Sequence, residues 1–170
     1  VDGQSGISDP YGMSGVRLEI DTHIITASIP AMKNLDDAIH RAGITAHDHV
    51  IVPLASARAC LTKRQKELGV ALIDIGAETI SVGVFENGVM VSTHVFQIGS
   101  NVITSDIALG FRISPEEAEA IKVGVTPASF SKRKLDEIIE ARLTDIFELI
   151  DRYLKQLRRS GLLPAGAILV

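Results

Sequence analysis

The chain has a single cysteine, Cys60, in 170 residues and no tryptophan. One thiol permits no disulfide within the chain and suits a reducing compartment. No apolar run approaches the roughly 18 residues that a membrane-spanning helix needs. The first residues, which start at Val1 rather than Met, carry no signal-peptide pattern. Positive charge is not in excess. The 17 Lys and Arg face 21 Asp and Glu, a formal charge of −4, which offers no general attraction to nucleic acid or anionic lipid. Internal repeats and low-complexity tracts are absent. So is any Ser–His–Asp set, metal-ligand cluster or close pair of catalytic acids.

What is present is core-forming material, 46% hydrophobic residues, in a readable order. Val16, Leu18 and Ile20 alternate with Arg17, Glu19 and Asp21, predicting a half-buried strand that runs to about Ala27. Ser28 then caps a helix whose apolar face is Met32, Leu35 and Ile39, stopped by Gly43. Val50, Ile51 and Val52 read as a short strand, and 54–67 as a helix closed by Gly69. Strands follow at 70–75, 79–85 and 89–98. Asn87-Gly88 is a strong hairpin signal, so these three predict an antiparallel meander. A short helix follows Gly99-Ser100-Asn101. Ser114-Pro115-Glu116-Glu117 opens another, which runs to about Val123. Helical spacing of apolar residues then extends over 131–159. Gly166 to Val170 reads as the opening of a buried strand. With Val1 at the other end, this suggests a piece of a longer protein. The order of elements predicts an α/β (α+β) fold.

Three stretches carry candidate chemistry. In the first, Asp74 ends an apolar strand and Gly76-Ala77-Glu78-Thr79 turns the chain. Small residues let backbone approach a ligand, and amides in a tight turn can converge on an anion. Because a carboxylate repels phosphate, Asp74 suits a hydrated Mg²⁺ between them. The competing reading is a solvated hairpin with Asp74 capping loop amides. In the second, Gly99-Ser100-Asn101 at a strand-to-helix turn can leave free amides for an anion, or be an ordinary turn with an Asn cap. In the third, Glu119 and Lys122 share a helix face, either as a local ion pair or as joint ligands of a nucleoside.

These stretches, in this order, resemble the actin-like ATPase superfamily, which shares the ribonuclease H-like fold. Within it the sequence is most similar to the FtsA family of bacterial cell-division proteins. The resemblance rests on Gly12 to Glu19 with His23-Ile24-Ile25-Thr26, on Glu67-Leu68-Gly69-Val70, on Thr104 to Gly110, and on Glu117 to Lys122. It implies a partial two-lobed fold, with 1–65 the end of the first lobe and 66–170 the second. The second lobe would hold the meander at 70–98 and a helical subdomain at about 101–160. It implies ATP and Mg²⁺ as ligands, with Gly76, Ala77, Glu78 and Thr79 at the phosphates and Asp74 at a metal-bound water. Gly99 and Ser100 would border the phosphates, and Glu119 and Lys122 would meet the adenosine. Arg142 falls at the groove for the tail of the tubulin-like FtsZ.

The implied role is a filament-forming adaptor, at most a slow ATPase. It would tie FtsZ to the inner face of the cytoplasmic membrane at the division septum, with no nucleic-acid partner. The alternatives are an adaptor of the PilM type from pilus assembly and a sugar or acid kinase. The sequence departs from the family pattern where Gly-Gly-Gly-Thr becomes Gly76-Ala77-Glu78-Thr79. A unit charge about 5 Å from a phosphate charge is worth roughly 3 kcal/mol at an effective dielectric near 20, so nucleotide affinity should suffer unless Glu78 points to solvent. The segment from Gly124 to Ser131 is shorter than is usual in the family. The family's first phosphate loop, its adenosine loop after Val170 and its C-terminal membrane helix are not in this sequence.

Elsewhere, His23 reads as a surface or structural residue and Cys60 as a buried thiol. Lys132-Arg133-Lys134 reads as a solvated cluster, or as a basic patch for an acidic tail. The helix dipole alone accounts for Arg158-Arg159.

Overall fold

The computed structural model describes residues 1–4, 6–7, 9–20, 22–125 and 130–170. The chain divides into two compact units, Val1–His47 and Asp48–Val170.

Among its described residues the first unit holds one helix, α1 (Ile29–Arg41), which starts behind Ser28 as predicted and carries Pro30 in its first turn. Gly43 follows it with φ of 77°. The strand predicted over 16–27 does not form among the described residues. Val16, Leu18, Ile20 and Ile24 are exposed. An extended segment is stable only when a neighbour pairs its backbone, and among its described residues this unit provides no second strand. Asp21, part of that alternation, lies outside the described residues.

The second unit is built on a four-stranded sheet. Its strands are β1 (Val70–Ile75), β2 (Ile80–Glu86), β3 (Val89–Phe96) and β4 (Ala167–Leu169), in the order β3-β2-β1-β4. The first three form the antiparallel meander, and β4 joins β1 in parallel. Asn87 and Gly88 take φ of 52° and 83°, as a type I′ turn requires. Four successive residues of β1, Val70 to Ile73, are buried, because the sheet is covered on both faces. On one face Val70, Leu72 and Phe85 pack with Ala57 of α2 (Val52–Cys60) and with Leu61 just beyond it. On the other, Ile73, Ile80, Val82 and Phe96 pack with Ile146 and Ile150 of the last helix.

Three expectations change here. Pro53 lies in the first turn of α2, where its fixed φ starts a helix, so the predicted strand at 50–52 gives way. The helix predicted over 54–67 is two. α3 (Lys63–Leu68) begins anew because Thr62 and Gln65 form a capping box. Cys60 is exposed rather than buried, because Ala57 and Leu61 are the residues of that stretch turned to the sheet.

Three further helices, α4 (Asn101–Phe111), α5 (Pro115–Lys122) and α6 (Lys132–Gln156), share a core of Ile103, Ile107, Ala118, Ile121 and Leu135. Ser114 and Glu117 cap α5 reciprocally, as predicted. α6 stops at Gln156, short of the predicted 159. Arg159 then turns back to Glu86, with Nε–Oε1 at 2.5 Å and Nη2–Oε2 at 3.0 Å. Tertiary pairing, and not the helix dipole alone, therefore holds it. Within the basic cluster Arg133 pairs with Glu137 and Lys134 sits over the Phe111 ring. Of the segment expected to be short, 124–131, residues 126–129 lie outside the described residues.

Ile146 is 1% exposed at the junction of α6 and the sheet. Ile146→Ala is expected to cost about 2–5 kcal/mol in urea denaturation. A loss well under 1 kcal/mol would mean that α6 does not close this face.

Candidate functional site

β1 gives way at Ile75 to the turn Gly76-Ala77-Glu78-Thr79, which the Gly76 amide closes on the Thr79 carbonyl at 2.9 Å. The turn docks on the start of α4. The Ser100 amide donates to the Gly76 carbonyl and the Asn101 amide to the Ala77 carbonyl, both at 2.9 Å. Gly99 permits this approach, since a Cβ there would stand 2.3 Å from the Ala77 carbonyl oxygen. The expectation of free amides at the start of α4 is therefore not met for Ser100 and Asn101, which bind the turn. Val102 and Ile103 donate to the carbonyls of Gly99 and Ser100. The open donors lie in the turn itself: the amides of Ala77, Glu78 and Thr79 reach no described protein acceptor.

Asp74 shares its face of β1 with Val70 and Leu72 through the period-two alternation of a strand, so it looks toward α2. There its Oδ2 accepts a hydrogen bond from the Ser56 hydroxyl at 3.1 Å. Ser56 gave no signal in the sequence, because only the packing of α2 over β1 brings the two together.

One turn into α4, Thr104 joins the third candidate stretch. Its hydroxyl donates to Glu119 Oε2 at 2.5 Å and accepts from Lys122 Nζ at 2.9 Å, while Lys122 and Glu119 lie 2.7 Å apart. The ammonium of Lys122, then the Thr104 hydroxyl, holds the Glu119 carboxyl below its ordinary range. Thr104 stands about 4.5 Å along the helix axis from Asn101. α4 therefore strings the turn and the Glu119–Lys122 pair along one edge. The local ion pair, one of the two readings of these residues, is formed, with Thr104 as its unforeseen third member.

Glu78 is exposed and its carboxylate accepts from the side-chain amide of Asn101. Arg142 lies apart from these groups along α4. Its guanidinium grips Asp106 at 2.5 Å and 3.0 Å and reaches Asp145 at 3.3 Å, clasping α6 to α4.

The donor set fits a nucleotide polyphosphate, because the open amides of the turn lie beside a glycine cradle. Asp74 retains a second carboxylate oxygen for a metal-bound water. No group of three or more His, Cys, Asp or Glu that could hold a metal occurs among the described residues. The Glu78 charge opposes an anion, as does that of Asp74 unless a cation stands between.

Two measurements check this geometry. Gly99→Ala forces the α4 entry off the turn, at an expected cost of about 1–3 kcal/mol with faster amide exchange at Ser100 and Asn101. Unchanged exchange would show that the two loops are not in contact. Glu119 should titrate below the ordinary carboxylate range, so its stabilising contacts are fully present above the unfolded-state value and fade as pH falls through the lowered one. Lys122→Met should move this titration upward in an NMR pH series, and an unmoved titration would remove Lys122 as its cause.

Comparison with known proteins places the chain. Residues 71–158 match the family model described as cell division protein FtsA, and residues 1–26 match the SHS2 domain inserted in FtsA. The chain is 36% identical over 194 residues to the cell division protein FtsA of Pseudomonas aeruginosa, covering 99% of this chain and 46% of that protein. It is 39% identical over 193 residues to that of Bacillus subtilis, covering 99% and 43%. It thus spans less than half the length of these relatives. Among solved structures, the PilM–PilN type IV pilus biogenesis complex superposes with a TM-score of 0.67 at 21% identity, over 82% of this chain and 40% of the other. MreB5 of Spiroplasma citri bound to ADP gives 0.62 at 15%, over 84% and 54%. The fold is a partial actin-like one, and the chain belongs to the FtsA family of bacterial cell-division proteins.

Proposed function

We propose that this chain forms part of an ATP-binding, actin-like cell-division protein that polymerises and tethers FtsZ to the membrane at the septum. In this reading ATP is chiefly a conformational and polymerisation ligand, hydrolysed slowly if at all. The observation that carries it is the junction of the β1–β2 turn with the α4 entry, one helical turn from the Glu119–Lys122 pair. That arrangement supplies amides for phosphate at one end and paired polar groups for a nucleoside at the other. The likeness in fold to an MreB solved with ADP supports the same placement.

The residues take these roles. Gly76, Ala77, Glu78 and Thr79 line the phosphates, with Gly99 and Ser100 bordering them from the α4 side. Asp74, steadied by Ser56, faces the water of an Mg²⁺, which when bound screens phosphate charge. Glu119 and Lys122 meet the adenosine. In this reading residues 1–65 are first-lobe chain and 66–170 second-lobe chain, a boundary that lies C-terminal to the division between the two compact units at His47 and leaves α2 packed on the second unit's sheet. Among the described residues no helix is long and apolar enough to cross a membrane. The inner-membrane location in this proposal rests on the C-terminal amphipathic helix that the family resemblance implies. The fold likeness to PilM keeps a pilus-type adaptor as the second reading. The family match favours division.

Two experiments on the intact protein test this. Titration with ATP-Mg²⁺ should show Asp74→Ala weakening binding at least tenfold, and an unchanged affinity would remove Asp74 from the site. For the partner, binding of an FtsZ C-terminal peptide should fall on Arg142→Gln. It should persist on Asp106→Asn, which opens the same clasp yet keeps the guanidinium. Equal losses would assign Arg142 to the fold instead, and no binding by the wild type would favour the pilus reading.

A further inference from the structure

Glu78 is the residue of the turn that an anion-binding role does not explain. Its side chain is exposed at the tip, and among the described residues no cation pairs with it. Its partner is neutral, the side-chain amide of Asn101. Asn101 opens α4, an eleven-residue helix, and the positive end of a helix dipole favours a carboxylate at that place. The backbone contacts between Ala77 and Asn101 hold both residues at the same junction. The carboxylate is therefore held at the same junction as the open amides of Ala77, Glu78 and Thr79, with no cation paired to it among the described residues.

We propose that the Glu78–Asn101 pair is a charge latch that sets nucleotide preference, holding a fixed negative charge against the polyphosphate so that the site disfavours a triphosphate relative to a diphosphate. The inference rests on the nucleotide reading of this site and concerns its selectivity. Coulomb repulsion grows with the charge of the ligand, so the terminal phosphate of ATP meets more of it than ADP does. The latch matters because a freely swinging glutamate would turn into water, where repulsion is screened. Asn101 denies it that escape.

The test is calorimetric titration of the intact protein with ATP-Mg²⁺ and ADP-Mg²⁺, at about 0.1 M and 1 M salt, for wild type, Glu78→Gln and Asn101→Ala. Glu78→Gln keeps an acceptor for Asn101 and removes only the charge. It should tighten ATP about tenfold at the lower salt and ADP by a smaller factor, and the gain should shrink at the higher salt. Asn101→Ala frees the carboxylate and should tighten ATP by less than Glu78→Gln does. Both side chains are exposed, and unchanged thermal unfolding of the variants would confirm that the fold is intact.

A gain equal for both nucleotides and insensitive to salt would overturn the latch, since it would report relaxation of the turn. Weaker ATP binding by Glu78→Gln would also overturn it, by making Glu78 a metal-side ligand. Weaker binding by Asn101→Ala would make Asn101 a phosphate ligand, with the same consequence. Wild-type binding that Glu78→Gln leaves unchanged would remove the latch and leave the nucleotide site standing. No binding of either nucleotide by any of the three proteins would remove both.

Discussion

The second unit depends on one backbone contact, the docking of the β1–β2 turn onto the first residues of α4. Two amide–carbonyl bonds make it, from Ser100 to Gly76 and from Asn101 to Ala77, and the missing Cβ of Gly99 allows it. Each such bond is modest in net stability, on the order of 1 kcal/mol. Their importance is geometric. They fix where α4 leaves the sheet, and α4 in turn presents Thr104 to α5 and Asp106 to α6. The candidate nucleotide edge and the α4–α6 clasp therefore share one origin.

The contact also changes what the start of α4 does. A helix N-terminus is often an anion site because its first amides lack partners. Here the turn carbonyls and the loop before α4 take up those donors, and the open amides are displaced onto the turn. On the nucleotide reading, the polar groups offered to a phosphate would therefore be those of Gly76-Ala77-Glu78-Thr79. Glu78 puts a carboxylate in that turn, and the side-chain amide of Asn101 gives it a definite place.

Much of this was legible in the sequence where the signal is local. Asn87-Gly88, the Ser114–Glu117 cap and the spacing along α6 each encode their structure within a few residues. The meander and the helical subdomain followed. Signals that need a partner failed. Alternation at Val16, Leu18 and Ile20 reads as a strand, but a strand is completed by a neighbour. Pro53 and Thr62 redrew helix boundaries that apolar spacing alone had blurred. Within the site, Asp74, Gly99, Glu119 and Lys122 stood out by type and order. Ser56 did not, and Thr104 and Asp106 stood out only as part of the run that carries the resemblance and not by their partners, because a hydroxyl or carboxylate on a helix acquires its role only from what packs opposite. The pairing of Glu78 with Asn101, 23 residues on, is likewise a product of tertiary folding.

α6 connects both layers of the second unit. Its first half packs on α4 and α5 through Leu135 and carries the Arg142 clasp. Its second half lies on the sheet through Ile146 and Ile150. Over 25 residues without glycine or proline, a helix of about 37 Å has no soft joint. The helical layer cannot tilt without levering the strands beneath it, so a disturbance beginning at the α4 entry would travel the length of this rod as rigid-body motion rather than dissipate in a hinge.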